Sequence, residues 1–134
     1  MTVIDGQGGR LGRQLVEAIL VRYPDCELTA VGTNTIATSA MIRGGAHHAA
    51  TGENAVVVAC RTADAIMGPI GVVIADALYG EITPAMAVAV GQSRAARILI
   101  PMMKCDNIVA GVRDMSIQEL VDDAVEKLSA ACKL

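Results

Sequence analysis

A cluster of glycines near the N-terminus has the composition of a phosphate-binding loop. The loop lies between a short apolar segment and a region of helical periodicity, and consists of Gly6, Gln7, Gly8, Gly9, Arg10, Leu11 and Gly12. Glycines let the backbone turn with positive φ and approach an anion without an intervening Cβ atom. Free N–H groups and the positive end of the helix dipole then hold the charge. The loop therefore predicts phosphate or nucleotide binding, with a tight turn that binds nothing as the alternative.

Two further segments are expected to meet this loop at the strand ends. A site for NAD usually has an acidic residue about 20 residues beyond the glycines, but this chain has Thr33 and Asn34 there instead. A hydroxyl and an amide suit a 2′-phosphate, which favours NADP over NAD. Gly68, Pro69 and Gly71 follow a later strand and permit close approach of a ligand ring, unless they only form a helix-entry turn.

Carboxylates close to the predicted strand ends supply the candidates for acid–base chemistry. We name Glu53, next to Asn54, and Glu81 as catalytic candidates, with helix capping as the alternative explanation of the polar residues 51–54. Asp5 comes directly before the glycines and has two interpretations. It either accepts hydrogen bonds from the N–H groups of the loop, or binds a sugar hydroxyl or a metal-bridged phosphate. A carboxylate here favours a nucleotide-like ligand over a dinucleotide specifically.

The histidines and cysteines do not form a metal-binding pattern. His47 and His48 are adjacent, so on a helix they point about 100° apart, and neither has a partner four residues away. No C-x-x-C pair occurs among the four cysteines, which are Cys26, Cys60, Cys105 and Cys132. We therefore predict no metal site, and we expect reduced, mostly buried thiols in a cytoplasmic protein.

The elements that must position these residues alternate between strands and helices. Apolar runs predict strands at 3–5, 27–32, 65–68, 97–100 and 107–112, and helical spacing predicts helices at 10–23, 36–43, 53–62, 72–79, 84–91 and after Ser116. Segment 53–62 also fits a strand. We assign it to a helix, because the apolar run 65–68 that follows immediately is then the next strand. The pattern predicts one Rossmann-like, three-layer α/β domain with about five parallel strands and helices on both faces, spanning residues 1–134.

Composition excludes several classes of protein. A length of 134 residues suits one domain, without a separate substrate domain. A net charge of −3 and only two tyrosines argue against nucleic-acid binding. The longest apolar run, 65–75, is shorter than the roughly 20 residues of a membrane span, and no leader pattern opens the chain.

The low content of charged residues predicts a homo-oligomer. Charged residues make up 19% of the chain, below the usual quarter or so. Contacts between copies would cover the apolar surface that remains.

The segment Val3–Leu15 resembles the N-terminal cofactor loop of dihydrodipicolinate reductases, a family that uses NADH or NADPH. Leu11 stands where that family has methionine. The resemblance covers only the N-terminal part of the chain. The catalytic histidine segment and the lysine-bearing substrate domain of those reductases have no counterpart here, so the resemblance implies a cofactor and not the reductase activity.

Over its full length the chain resembles a family of short uncharacterised bacterial proteins, a domain of unknown function. The resemblance rests on the segments VIDGQGG, GTNTIATSAM, ATGENAVVV, GPIG and GEITPAMAVAVG. It implies a Rossmann-like fold without a known activity.

The sequence thus predicts a binding module for NAD(P) or another adenine nucleotide, acting as a sensor, carrier or subunit. The alternative is a small oxidoreductase or nucleotide-dependent transferase, whose site would be completed across a subunit interface by Glu53, Asn54 or Glu81. A third hypothesis keeps the fold and leaves the loop without a ligand.

Overall fold

The computed structural model describes residues 1–102 and 106–132, in which strands and helices alternate. The strands are β1 (Thr2–Asp5), β2 (Thr29–Gly32), β3 (His48–Thr51), β4 (Ala65–Pro69) and β5 (Ala96–Ile100). The helices are α1 (Arg10–Arg22), α2 (Thr35–Arg43), α3 (Glu53–Thr62), α4 (Pro84–Gln92) and α5 (Ile117–Cys132). A short 3₁₀ helix, Ile70–Val73, follows β4.

The five strands form one parallel sheet in the order β3-β2-β1-β4-β5. The register aligns Asp5 of β1 with Gly32 of β2, and Gly32 with Thr51 of β3. The chain runs outward through β1, β2 and β3, then returns to place β4 on the other side of β1. The carboxyl ends of β1 and β4 therefore border the topological switch point, where open α/β sheets bind ligands.

Helices cover both faces of the sheet, as the sequence predicted. Because side chains alternate along a strand, Val3 of β1 packs with α1, α2 and α5 on one face, whereas the next residue, Ile4, packs with α3 and α4 on the other. Leu15 of α1 and Leu128 of α5 are fully buried on the first face, and Val56 of α3 is fully buried on the second. The prediction of a single three-layer Rossmann-like domain is confirmed.

Local capping signals begin two of the helices where the sequence placed them. The hydroxyl of Thr83 accepts a hydrogen bond from the Met86 N–H, and Pro84 occupies the first helical position of α4. At the start of α5, Ser116 Oγ accepts from the Glu119 N–H while the Glu119 carboxylate accepts from the Ser116 N–H. This reciprocal pair is a capping box.

The predicted strand at 107–112 is wrong, and the fifth strand is β3. Residues 107–112 are irregular, with Ile108 89% exposed and Gly111 in the left-handed region. Strand β3 contains four exposed residues, two of them alanines, so it lacks the apolar run by which buried strands are recognised. Its position follows from backbone pairing with β2, which is a tertiary interaction.

The predicted helix at 72–79 is also wrong. After the 3₁₀ helix the chain makes a series of turns, and we call residues 70–83 the β4–α4 connection. Asp76, Leu78 and Tyr79 have φ values of 65°, 56° and 57°, which cannot continue a right-handed helix. Ala77 and Ile82 are buried in the core and anchor the turns.

Cys26, Cys60 and Cys132 are free thiols, and Cys105 lies outside the described residues. Burial raises the pKa of each of these three thiols. No helix in residues 1–102 and 106–132 is long and apolar enough to cross a membrane.

Candidate functional site

A cavity of about 920 Å³ opens at the carboxyl ends of β1 and β4. The glycine loop forms one wall and the β4–α4 connection a second, while a third wall consists of Met102, Asp106, Asn107 and Ile117. The lining residues are Asp5, Gly6, Gln7, Gly8, Gly9, Arg10, Leu11, Gln14, Pro69, Gly71, Ile74, Ala75, Asp76, Ala77, Leu78, Tyr79, Met102, Asp106, Asn107 and Ile117. The cavity therefore lies at the topological switch point of the sheet.

Asp5 holds the glycine loop in its turned conformation. Its Oδ1 atom accepts a hydrogen bond from the Gly6 N–H at 2.8 Å, and Oδ2 accepts from the Gly12 N–H at 2.6 Å. Gly9 has φ 73°, and a Cβ atom there would lie 2.6 Å from the Cα of Ala37 in α2. The first interpretation of Asp5, as an acceptor for the N–H groups of the loop, therefore describes its contacts in the structure.

Burial changes the acidity of the same carboxyl group. Desolvation raises the pKa of Asp5 from 3.8 to about 6, the hydrogen bonds from Gly12 and Gly6 oppose this increase, and the charge of Glu81 adds to it. A carboxyl group with this pKa carries less than a full negative charge just below neutral pH. Its repulsion of an anionic ligand at the loop is reduced accordingly.

Part of the loop still offers hydrogen-bond donors to the cavity. Within residues 1–102 and 106–132, the N–H groups of Gly8, Arg10 and Leu11 have no hydrogen-bond acceptor. A Cβ atom at Gly8 would meet no atom within 4 Å, so this residue borders open space. Arg10 and Leu11 form the first turn of α1, where the helix dipole favours an anion.

The other walls of the cavity present aromatic, apolar and acidic side chains. Tyr79 is 99% exposed and offers a flat aromatic surface at the rim. Met102 and Ile117 contribute apolar surface, and Asp76 and Asp106 contribute carboxylates. Sequence reasoning missed these residues because the segments that carry them were assigned to regular elements or lay between them.

Gln14 of α1 was also missed. It lies one helical turn beyond Arg10, and its Oε1 atom is buried with no hydrogen-bond partner in the described part of the chain. The spacing of four residues, which places both side chains on the same side of α1, was a signal that could have identified it.

Glu81 joins the glycine loop to the end of β2. Its carboxylate accepts hydrogen bonds from the Gln7 N–H at 3.0 and 3.2 Å, from Thr33 Oγ1 at 3.0 Å and from Asn34 Nδ2 at 2.6 Å. Asn34 Nδ2 also donates to the Gln7 carbonyl, while its Oδ1 caps α2 by accepting from the N–H of Ala37. The hydroxyl and amide expected to receive a 2′-phosphate are therefore engaged by an internal carboxylate.

Eight of the twelve proposed ligand-binding residues line the cavity: Gly6, Gln7, Gly8, Gly9, Arg10, Leu11, Pro69 and Gly71. The other four, Gly12, Thr33, Asn34 and Gly68, do not. A Cβ atom at Gly12 would lie 2.7 Å from that of Asp5, and one at Gly68 would lie 2.3 Å from the Ile4 carbonyl oxygen. These two glycines are thus required by close packing.

The two catalytic candidates are not part of the cavity wall. Glu53 and its neighbour Asn54 are exposed at the start of α3, and Glu81 faces the end of β2. The hydroxyl of Thr51 forms a 2.7 Å hydrogen bond with that of Thr38, and among the described residues no side chain caps α3, whose N-cap residue is Gly52.

The paired histidines make separate contacts. His47 Nδ1 accepts a hydrogen bond from the Leu28 N–H at 3.2 Å, and His48 Nε2 lies 2.9 Å from the Glu27 carboxylate. Over the described ranges, no group of three or more His, Cys, Asp or Glu side chains could hold a metal ion.

Comparison with known proteins places the chain in a family. No curated protein matches it, so the resemblance of the loop to NAD(P)-dependent reductases stays a prediction. One similar solved structure is a dodecameric FMN-dependent Ubix-like decarboxylase from Escherichia coli O157:H7, with 16% identity and a TM-score of 0.43, over 100% of this chain and 96% of that one. The model of the DUF3842 family, a domain of unknown function, matches residues 1–133, so the expected resemblance to an uncharacterised family is confirmed and the chain belongs to DUF3842.

Proposed function

We propose that this protein binds a nucleotide, with a phosphate against the glycine loop and the remainder of the ligand in the cavity beside β4. The observation that carries the proposal is the group of N–H donors at Gly8, Arg10 and Leu11, which have no acceptor in the described part of the chain and border that cavity at the start of α1. Such donors together with the helix dipole form an anion site. The exposed guanidinium of Arg10 adds a positive charge at the same place.

The cavity walls favour a nucleotide over a simple phosphate. A volume of about 920 Å³ lies within the usual range for small-molecule sites. The ring of Tyr79 is suited to stacking on a base, and the carboxylates of Asp76 and Asp106 are suited to accepting hydrogen bonds from ribose hydroxyls. Together these residues offer complementary surfaces to the phosphate, sugar and base. Adenine nucleotides are the ligands that we expect from the loop, in a sensor, carrier or subunit.

The test is ligand-induced stabilisation with a variant that blocks the loop without straining it. The melting temperature should rise by several degrees at a ligand concentration about a hundred times Kd, for at least one of AMP, ATP, FMN, NAD and NADP. Gly8→Val places a side chain where the structure has open space, so it should fold normally and abolish the shift.

Ala130→Val provides the control, because it adds a valine to an exposed position of α5 that is remote from the lining residues. It should respond to the same ligand as the unmodified protein does. The proposal is wrong if no nucleotide in the panel stabilises the protein, or if Gly8→Val is stabilised as strongly as the control.

We also propose that the protein is a homo-oligomer. Helix α4 has no charged residue, and its outward positions include Ala85 and Val88, the latter 52% exposed. A helix that is apolar on all sides is normally buried. Contact with a second copy would bury the outward side of α4.

A further inference from the structure

We propose that Glu81 restricts the candidate site to mononucleotides, because it closes the half of the site where a dinucleotide would place its second nucleotide. The inference rests on the proposed function and specifies its ligand class. Glu81 belongs to the β4–α4 connection, yet its carboxylate binds donors from two other segments, Gln7 of the glycine loop and the pair that follows β2.

The position of these donors identifies the half of the site that Glu81 covers. In a sheet of this order, a dinucleotide extends across the carboxyl end of β1, with one nucleotide towards β2 and the other towards β4. Thr33 and Asn34 follow β2, and neither lines the cavity. The cavity walls instead include Pro69, at the end of β4, and Gly71 after it. The β4 half is open, and the β2 half is occupied by the Glu81 side chain.

Binding on the β2 side would require displacement of a charged hydrogen-bonded group. The Glu81 carboxylate accepts from one backbone N–H, one hydroxyl and one side-chain amide, with the shortest distance 2.6 Å to Asn34 Nδ2. Hydrogen bonds to an ionised group are among the stronger ones in proteins. A 2′-phosphate approaching Thr33 and Asn34 would lose these donors to Glu81 and would also meet its negative charge.

The connection also limits movement of Glu81 away from these donors. The residues on either side of the turn, Ala77 and Ile82, are buried in the core. The Glu81 N–H donates to the Leu78 carbonyl at 3.2 Å, and the Ile82 N–H donates to the Ala77 carbonyl at 3.1 Å. Removal of the side chain is therefore the direct way to open the β2 half.

The test compares affinities for mononucleotides and dinucleotides by titration calorimetry. AMP, FMN, NAD and NADP are titrated into the unmodified protein, Glu81→Ala and Glu81→Gln. We expect the unmodified protein to bind AMP or FMN at least about tenfold more tightly than NADP, and Glu81→Ala to gain about tenfold or more in NADP affinity. Its affinity for the mononucleotide should change by less than about threefold.

Glu81→Gln retains the shape of the side chain and removes the charge, so it should fold even if Glu81→Ala does not, and should give a smaller gain for NADP. Glu126→Ala removes an exposed carboxylate of α5 and should behave like the unmodified protein. The inference is overturned if the unmodified protein binds NADP as tightly as the mononucleotide, or if both Glu81 variants bind the mononucleotide with unchanged NADP affinity. If none of these four nucleotides nor ATP binds the unmodified protein, the proposed function itself fails, and the inference fails with it.

Discussion

Asp5 and Gly12 close the glycine loop from its two ends, since Oδ2 of Asp5 accepts a 2.6 Å hydrogen bond from the Gly12 N–H. The other oxygen accepts from the N–H of Gly6, the first residue of the loop. One buried carboxyl group thus fixes both the entry to the loop and the first turn of α1. Because burial raises the pKa of this carboxyl group, its protonation is linked to folding.

The first prediction concerns the free energy of unfolding between pH 4 and pH 7. The pKa of Asp5 is about 6 in the folded protein and 3.8 as its ordinary value. Between these values the folded state binds the extra proton, so the free energy of unfolding decreases as pH rises. A difference of about two pKa units corresponds to roughly 3 kcal/mol.

Urea unfolding of the unmodified protein and Asp5→Asn at a series of pH values measures this effect. Asparagine does not titrate, so the stability of the unmodified protein relative to the variant should decrease between pH 4 and pH 6 and remain constant above about pH 7. Parallel stability profiles for the two proteins would show that Asp5 does not have a raised pKa.

The second prediction contrasts two neighbouring glycines. Gly9 has φ 73°, and its Cβ would lie 2.6 Å from the Ala37 Cα and 2.8 Å from the Ala37 carbonyl oxygen. Gly9→Ala should therefore destabilise the protein by about 3 kcal/mol, from backbone strain and overpacking against α2. Gly8→Ala has open space and should change the free energy of unfolding by less than about 0.5 kcal/mol. Chemical denaturation of the two variants provides the measurement, and equal losses would contradict the loop geometry.

The third prediction concerns assembly through α4. We expect size-exclusion chromatography with light scattering to give a mass larger than the 13.8 kDa of one chain. Val88→Asp should lower that mass, because it places a charge in the proposed contact. Val21→Asp is the matched control, since Val21 is 85% exposed on α1. Dissociation by Val21→Asp alone, or a monomeric unmodified protein, would exclude α4 as the interface.

Much of the fold could be predicted because its signals are local. The glycine loop, the Thr83–Pro84 start of α4 and the capping box at Ser116 each depend on residues within a few positions of one another. The alternation of apolar runs with segments of helical periodicity was sufficient to predict a sheet with helices on both faces. Strand β3 could not be recognised, because its exposed small residues are held by backbone pairing and leave no hydrophobic pattern.

The candidate site likewise has one part with local sequence signals and another part that depends on contacts between distant residues. A glycine loop that follows β1 and precedes a helix is evident from the sequence, because the loop and both elements are contiguous. The contact of Glu81 with Gln7, 74 residues away, and with Thr33 and Asn34 forms only when the chain is folded. This contact depends on a turn with three left-handed non-glycine residues, which is anchored by the burial of Ala77 and Ile82. Such a turn is stabilised by the packed core, and the residues within it do not specify it.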